Sequence, residues 1–335
     1  MTDDPSVSVL MSVRDGSFLA PALDTLLVQT VRDFDVVLVD DGADRETKAL
    51  IASYAEQEPR IRVFENERNL GLAASLNRGL AEVRAPLVAR ADADDLYHPE
   101  RLERQLAEFE TRPNLGVLSC GYERIDGEDR HLFSVKPAQG HDLIRFRSMF
   151  INCVLHPGVM FRTEIVRDAG GYDERFWTAQ DSELWSRLLA VTTFDNLTEP
   201  LVKWRRHGAS TLGSRGDEGK ALSNEVSVRL HERYLGEPTD ADEVRAAVQL
   251  WRSFDRLDLR TVELGLRGLR RVHSVAQKKE PPSILRDFER RIATSLSRQT
   301  KRNVSQRPAD AGAMAPAAVR WFFGRPGLPA SEAPS

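Results

Sequence analysis

Short β-branched runs alternating with helical repeats through the first third of the chain predict an α/β fold, a mainly parallel sheet covered by helices on both faces. Two observations carry this. Val7-Ser-Val-Leu-Met-Ser-Val13 and Phe34-Asp-Val-Val-Leu-Val39 have strand composition, and between them Leu19, Leu23, Leu26 and Leu27 recur at helical spacing. The same strand-helix alternation then repeats as far as a strand tipped with aspartates. Parallel neighbours need such crossovers, and ligands of parallel sheets bind beyond the carboxyl ends of the strands.

The second strand closes on Asp40-Asp41-Gly42, a turn signal. A helix follows over about Glu46 to Gln57, then a short strand Ile61-Arg-Val-Phe64, then a helix from about Leu72 to Val83. The apolar run Pro86-Leu-Val-Ala-Arg-Ala91 reads as a buried strand, and a helix from Pro99 to Glu110 comes next. From Leu115 the pattern loosens. Residues 117–122 and 158–161 read as strands, the polar stretch from Asp126 to Gly140 as a hairpin or mobile loop, and Asp181 to Val191 as an amphipathic helix. Four further helices are expected at about 218–236, 239–257, 259–278 and 282–302, with Thr239 as an N-cap and Pro281-Pro282 opening the last. The chain thus divides into a first domain over 1–214, a helical appendage over 215–302 and a tail over 303–335. That tail is rich in Ala, Pro, Ser and Gly and is expected to be disordered. Its one aromatic island, Val319-Arg-Trp-Phe-Phe-Gly324, suits either a membrane interface or packing on the fold.

With 335 residues, 41% of them hydrophobic, the chain can bury a full core. No stretch has the roughly 18 apolar residues of a membrane span, and the N-terminus lacks the features of a signal peptide, so a cytoplasmic protein is expected. Cys120 and Cys153 have no metal-ligand spacing and are expected as reduced, packed thiols. Residues 1–214 carry 25 Lys+Arg against 35 Asp+Glu, whereas residues 215–335 carry 22 against 16. The acidic first part argues against nucleic-acid binding. The basic second part suits either peripheral contact with an anionic membrane or the acidic domain itself.

Asp92-Ala-Asp-Asp95, with Glu100 close behind, is the most informative segment. Residues two apart in an extended chain point to one side, so Asp92 and Asp94 converge beyond the strand end. Converging carboxylates repel unless a cation lies between them, and hard oxygen ligands suit Mg²⁺ or Mn²⁺ with positions left for a diphosphate. A nucleotide-linked substrate follows. The competing reading makes Asp94 or Asp95 the cap of the helix beginning near Pro99.

Taken with their order, several segments make the chain resemble the glycosyltransferases of family 2, which have the GT-A fold. They are Val7–Val13; Val39-Asp-Asp-Gly42; Asn66-Glu-Arg-Asn-Leu-Gly-Leu72 with Asn77-Arg-Gly79; Ala91-Asp-Ala-Asp-Asp95; His156-Pro-Gly-Val-Met-Phe-Arg162; Gly170-Gly-Tyr-Asp-Glu174; Gln180-Asp-Ser-Glu-Leu-Trp-Ser-Arg-Leu188; and Trp204-Arg-Arg-His207. The resemblance spans about residues 6 to 212. It implies inverting transfer of a sugar from a nucleotide-diphosphate donor to a hydroxyl of a glycan or lipid-linked acceptor, in cell-envelope polysaccharide synthesis.

The resemblance also implies roles. Asp41 or Asp40 would bond the base or ribose, Ser12 and Arg14 would line the nucleotide cleft, and Arg68 and Arg78 would neutralise phosphate. Leu76 stands where a frequent family variant has a basic residue. Asp94 would bind the metal, Mn²⁺ or Mg²⁺, with Asp92 beside it or on the sugar, and His207 would reach the metal or the leaving phosphate. Arg205, Arg206 and His207 in sequence suggest an anion-facing loop. Asp181 matches the catalytic base, although Gln180 replaces the usual Glu before it. For Asp181 the alternative is a charge in the first turn of its helix, with Thr178 as N-cap. His156, Trp177 and Gln180 would contact the acceptor, while Trp185, at helical spacing, reads as core. Two other functions fit less well. A sugar-1-phosphate nucleotidyltransferase would carry a Gly-rich, Arg-containing loop and a Lys where Val13-Arg-Asp-Gly-Ser17 stands, and a non-catalytic binding protein has no need of Asp92, Asp94 and Asp181 together.

Overall fold

The computed structural model describes residues 4–207 and 216–304. The tail expected from 303 onward, with the island at Val319 to Gly324, therefore lies almost wholly outside the described residues. The chain divides into two compact units, one made of residues up to Arg145 with Asn152–Ser223, the other of Phe146–Ile151 with residues from Asn224 on.

The first unit opens with the expected alternation: β1 (Val7–Val13), α1 (Leu19–Leu27), β2 (Phe34–Asp40), α2 (Arg45–Gln57), β3 (Ile61–Glu65), α3 (Leu72–Glu82) and β4 (Leu87–Asp92). It continues through β5 (Leu96–Tyr97), α4 (Arg101–Thr111), β6 (Leu115–Asp126), β7 (His131–Val135), α5 (His141–Ser148), β8 (Met160–Arg162), α6 (Thr163–Asp168), α7 (Gln180–Leu188) and β9 (Thr193–Arg206). The sheet order is β3-β2-β1-β4-β8-β6-β9-β5, with β7 hydrogen-bonded to β6 beside that path. The first four strands are parallel. β8 runs antiparallel to both β4 and β6, and β6 and β9 are again parallel.

Every residue of β2 is buried, as a strand covered on both faces requires. Along β1 the pleat sends Val9 and Met11 to one face, where Leu19, Leu23, Ile51 and Leu102 pack, and Leu10 to the other, where Leu76, Leu80 and Leu184 pack. The covering helices thus lie on both sides, and the sequence expectation of an α/β sheet holds. Because the register sets Ser12 between Val39 and Asp92, the carboxyl ends of β1, β2 and β4 come out side by side. The site is built there.

The polar stretch after Asp126 takes the first of its two expected forms, a hairpin with β7 antiparallel to β6. Other local expectations change. The strand expected at 158–161 is a 3-10 turn over His156–Gly158 followed by β8. β9 was not expected at all. Pro200, which lacks an N–H, disrupts its strand pattern in sequence, and it sits where the β6–β9 register shifts between Ser119 and Tyr122. Cys120 is buried, its thiol pushed up to about 11 chiefly by burial, and Cys153 is half-buried; neither forms a disulfide, as expected.

The second unit carries most of α8 (Asp217–Leu235), then α9 (Ala241–Arg252), α10 (Leu259–Lys279) and α11 (Pro282–Val304). Its centre is aromatic: Phe150 stacks on Trp251 at 4.3 Å between ring centroids, and Phe146 meets Phe288 edge-on at 5.3 Å. Arg147 Nε donates to Asp287 at 2.9 Å within the same unit. The cap of α9 is Asp240 rather than Thr239, because the Asp240 carboxylate accepts the N–H groups of both Asp242 (2.8 Å) and Glu243 (3.0 Å). Among the described residues no helix is long and apolar enough to cross a membrane.

Gly79 explains how closely α3 approaches the sheet: a Cβ there would lie 2.9 Å from Val39 Cγ2 and nearer still to Leu10 Cδ1. A Gly79→Val variant is expected to lose about 1–3 kcal/mol through overpacking, measurable as a lower midpoint in urea. An unchanged midpoint would mean that α3 can lift off the sheet without cost.

Candidate active site

β4 ends in the acidic cluster. Asp92, Asp94 and Asp95 each offer a carboxylate oxygen, and these oxygens all lie within 4.8 Å of one another. Fully buried Arg90 forms an ion pair with Asp92 from two residues back on the same strand, and the Tyr97 hydroxyl donates to the Asp92 carbonyl at 2.8 Å. Asp95 is fully buried and accepts the Arg205 N–H at 2.7 Å through Oδ1. The Arg205 guanidinium points inward, donating to the Asp94 carbonyl at 2.7 Å and pairing with Asp129 of the β6–β7 turn. Arg205 and Arg206 therefore end β9 rather than form an anion-facing loop, and Arg205 is spent on holding the cluster. His207 follows directly, with Nε2 2.9 Å from Asp94 Oδ2 and its ring 4.9 Å from that of Phe18.

Neither Asp94 nor Asp95 caps α4. That helix is entered at Glu100 without a side-chain cap, and the Glu100 carboxylate turns away to Arg104, so it is no part of the cluster. Burial raises the pKa of Asp94, the Asp92 charge adds to the rise, and His207 opposes it. Burial also carries Asp95 well above the usual carboxylate range, with Asp92 and Asp94 adding to it. Asp95 Oδ2 is buried and has no hydrogen-bond partner. Clustered hard oxygens, an orphaned buried carboxylate oxygen and an adjacent imidazole fit a divalent cation of the Mg²⁺ or Mn²⁺ type. Asp95 is the buried third carboxylate of the cluster, beside the Asp92 and Asp94 expected from the sequence.

On the β2 side, Asp40 and Asp41 are both buried and both engaged. Asp40 accepts the Ala43 N–H at 2.7 Å. Asp41 accepts from Asn66 Nδ2 (2.9 Å) and from the N–H groups of Leu70 (2.7 Å) and Gly71 (3.0 Å), which closes the loop over residues 66–71. Arg78 is exposed and donates to Asn66 Oδ1 at 3.1 Å, while Arg14 and Arg68 are exposed just beyond their strands. Leu76 is fully buried on the apolar face of α3, where a cation would have no partner.

Asp181 lies in the first turn of α7. Its Oδ1 accepts the Ser182 N–H at 2.7 Å, and its Oδ2 accepts from Asn152 Nδ2 at 2.6 Å. Thr178 is not the cap. The cap position is Ala179, in the left-handed region at φ 57 and without a side-chain bond. Nearby Tyr172 is clamped by Asn77, whose Oδ1 accepts its N–H (2.8 Å) and whose Nδ2 donates to its carbonyl (2.9 Å). Gly171 is required beside it, at φ +70 and with a Cβ position only 2.5 Å from Asn77 Oδ1. The Tyr172 hydroxyl bonds His156 Nε2 at 2.9 Å. Burial is the main reason that hydroxyl resists ionisation; Arg90 works the other way, and the charges of Asp181 and Asp92 both add resistance. The one phenol is thus influenced by both Asp181 and Asp92. Burial, helped by Arg90, holds His156 neutral, and its ring faces inward. Gln180 is buried, Trp177 is 44% exposed and Trp185 is core.

Comparison with known proteins bears on the family and the fold. Residues 8–168 match the family model for glycosyl transferase family 2. The amylovoran biosynthesis glycosyltransferase AmsE of Erwinia amylovora is 32% identical over 189 residues, covering 56% of this chain and 70% of its own. The crystal structure of S. aureus TarS 1-349 in complex with UDP-GlcNAc matches with a TM-score of 0.58 at 16% identity, over 96% of this chain and 92% of that one. Mannosyltransferase PcManGT from Pyrobaculum calidifontis, in complex with GDP-Man and Mn²⁺, matches with a TM-score of 0.54 at 16% identity, over 96% and 86%. At that identity the structural likeness concerns the fold.

The raised carboxyls set a sign. A folded-state pKa above the unfolded value means that the folded protein binds these protons more tightly, so this contribution to stability is present at low pH and is lost as pH rises through the folded value. A cation competes with the same protons. At a concentration about one hundred times its Kd, MnCl₂ adds about 2.7 kcal/mol of stability, and the rise in Tm is expected to be larger at pH 7.5 than at pH 5 and to vanish in Asp94→Asn. An equal rise at both pH values, or one surviving in the variant, would remove the cluster as the binding site.

Proposed function

This chain belongs to glycosyltransferase family 2 and has the GT-A fold, and we propose that it is a metal-dependent inverting enzyme that moves a sugar from a nucleotide-diphosphate donor to a hydroxyl of a glycan or lipid-linked acceptor in cell-surface polysaccharide synthesis. The observation that carries this reading is the convergence of Asp92, Asp94 and Asp95 with His207 at the strand ends. The named role of AmsE supports the polysaccharide product. The UDP-GlcNAc of TarS and the GDP-Man and Mn²⁺ of PcManGT support the donor class and the metal.

Transfer is a single displacement. The acceptor oxygen bonds to the anomeric carbon as the bond from that carbon to the diphosphate oxygen breaks, and the acceptor proton passes to Asp181. Attack from the side opposite the leaving group inverts the configuration. Asp94, with Asp92 and His207, would hold the cation, which when bound supplies positive charge to the diphosphate as its leaving oxygen becomes negative.

The chain's own groups do the remaining positioning. Arg90 and Tyr97 fix Asp92, and Arg205 fixes both Asp94 and Asp95. Ser12, Arg14 and the turns built by Asp40 and Asp41 line the nucleotide, with Arg68 and Arg78 in reach of phosphate. Trp177 offers an exposed ring to an acceptor sugar, and Gln180 and His156 support that wall from within. A lipid-linked acceptor places the reaction at the cytoplasmic face of a membrane, where the positive balance of residues 215–335 suits anionic lipid.

Asp181→Asn is expected to lower kcat about 10²- to 10⁴-fold while nucleoside-diphosphate affinity in Mn²⁺ stays near wild type. Turnover at the wild-type rate would exclude Asp181 as the base. Asp94→Ala is expected to weaken nucleoside-diphosphate binding in a way that added MnCl₂ does not restore, and tight binding in EDTA by the wild type would contradict metal dependence. Screening UDP-GlcNAc and GDP-Man for hydrolysis in MnCl₂ identifies the donor base.

A further inference from the structure

Asp181 is held from outside its own helix. An aspartate in a first helical turn ordinarily folds back onto the N–H groups there, and Asp181 does this through Oδ1, toward Ser182. Its Oδ2 is taken by Asn152, 29 residues earlier in the chain. Asn152 is itself fixed, because its Oδ1 accepts the N–H of Val154 at 3.0 Å in a local turn. With the amide oxygen tied down, the only remaining polar group of the side chain is Nδ2, and it points at the carboxylate. The backbone that delivers Asp181 is in a conformation few non-glycine residues keep without support, since α7 begins from Ala179 at φ 57 with no side-chain cap.

We propose that Asn152 is the positioning residue of the base: it keeps the Asp181 carboxylate turned so that it can take the acceptor's proton. This rests on the reading of Asp181 as base and adds to it the group that orients it. An amide suits the task. A Lys or Arg in its place would bring a full positive charge against the carboxylate and depress its basicity, whereas a neutral N–H orients it with a smaller effect of that kind.

The test uses Asn152→Ala in the full-length protein, with UDP-GlcNAc and GDP-Man in MnCl₂ as donor probes. Asn152 is exposed, so truncating it leaves no buried cavity, and a thermal melt checks that the variant is folded. Misplacing a catalytic group by about 1 Å costs up to about 100-fold, so kcat is expected to fall about 10- to 100-fold with the donor KM unchanged. Introduced into Asp181→Asn, the same truncation is expected to cost nothing more, because Asn152 acts only through Asp181. Losses that multiply would show that Asn152 touches the acceptor itself and would overturn the proposal, as would a wild-type kcat in Asn152→Ala.

If Asp181→Asn alone keeps the wild-type rate, the base reading fails and this inference goes with it; if Asp181→Asn is inactive and Asn152→Ala is not, only this inference fails. A crystal structure of Asn152→Ala decides independently of any donor. A rotated or disordered Asp181 carboxylate is expected, and one left in place would overturn the positioning role.

Discussion

Three carboxylates whose oxygens lie within 4.8 Å of one another at the end of β4 repel, and the surrounding groups have to offset that repulsion. At an effective dielectric of about 20, two unit charges 4.8 Å apart repel by about 3 kcal/mol, and three carboxylates make three such pairs. The fold meets this in two ways. It buries arginines against the cluster, Arg90 on Asp92 and Arg205 on the Asp94 carbonyl, with the Arg205 N–H on Asp95. It also lets Asp94 and Asp95 hold protons more tightly than free carboxyls do. Both devices leave the buried Asp95 Oδ2 unpartnered, so the cluster keeps a free oxygen that could serve a cation.

The sheet brings the parts together from far apart in sequence. β1, β2 and β4 end side by side, so Ser12, Asp40 and Asp92 share one rim. β9 then crosses to the same rim and delivers Arg205 and His207 more than one hundred residues after the aspartates they contact. α7 brings Asp181, whose charge reaches the Tyr172 hydroxyl. Asn77 and Gly171 fix Tyr172, and Asn77 sits on α3, whose close seat on the sheet depends on Gly79. The family motifs containing Asn77, Gly79 and Gly171 are thus explained by packing rather than by contact with substrate.

Much of this was legible in the sequence. The parallel half was readable because strands buried on both faces are continuous apolar runs, and the aspartates were readable because Asp-X-Asp-Asp at a strand end has few purely structural uses. β9 was not, since Pro200 breaks its pattern and the register shift that accommodates it is a tertiary event. Arg90 looked like an isolated charge in an apolar run, although an arginine two residues before an aspartate on one strand shares its face, and that spacing could have revealed the pair. Arg205 reads in sequence as part of an anion-facing loop, because consecutive basic residues carry no sign of the buried carboxylate and carbonyl that the fold sets against one of them. Asn152 carried no signal, since its partner lies 29 residues away and only the folded turn aims it. Asp40 and Asp41 show the reverse, being correctly placed at the rim with carboxylates that close loops.

Anomalous diffraction at the manganese edge, from crystals soaked in MnCl₂ with a nucleoside diphosphate, would locate the cation. One strong peak is expected in contact with Asp94, beside Asp92 and His207, with diphosphate oxygens completing its coordination. A nucleotide bound at the sheet rim with no anomalous peak among these carboxylates, or with the manganese bound elsewhere, would contradict it.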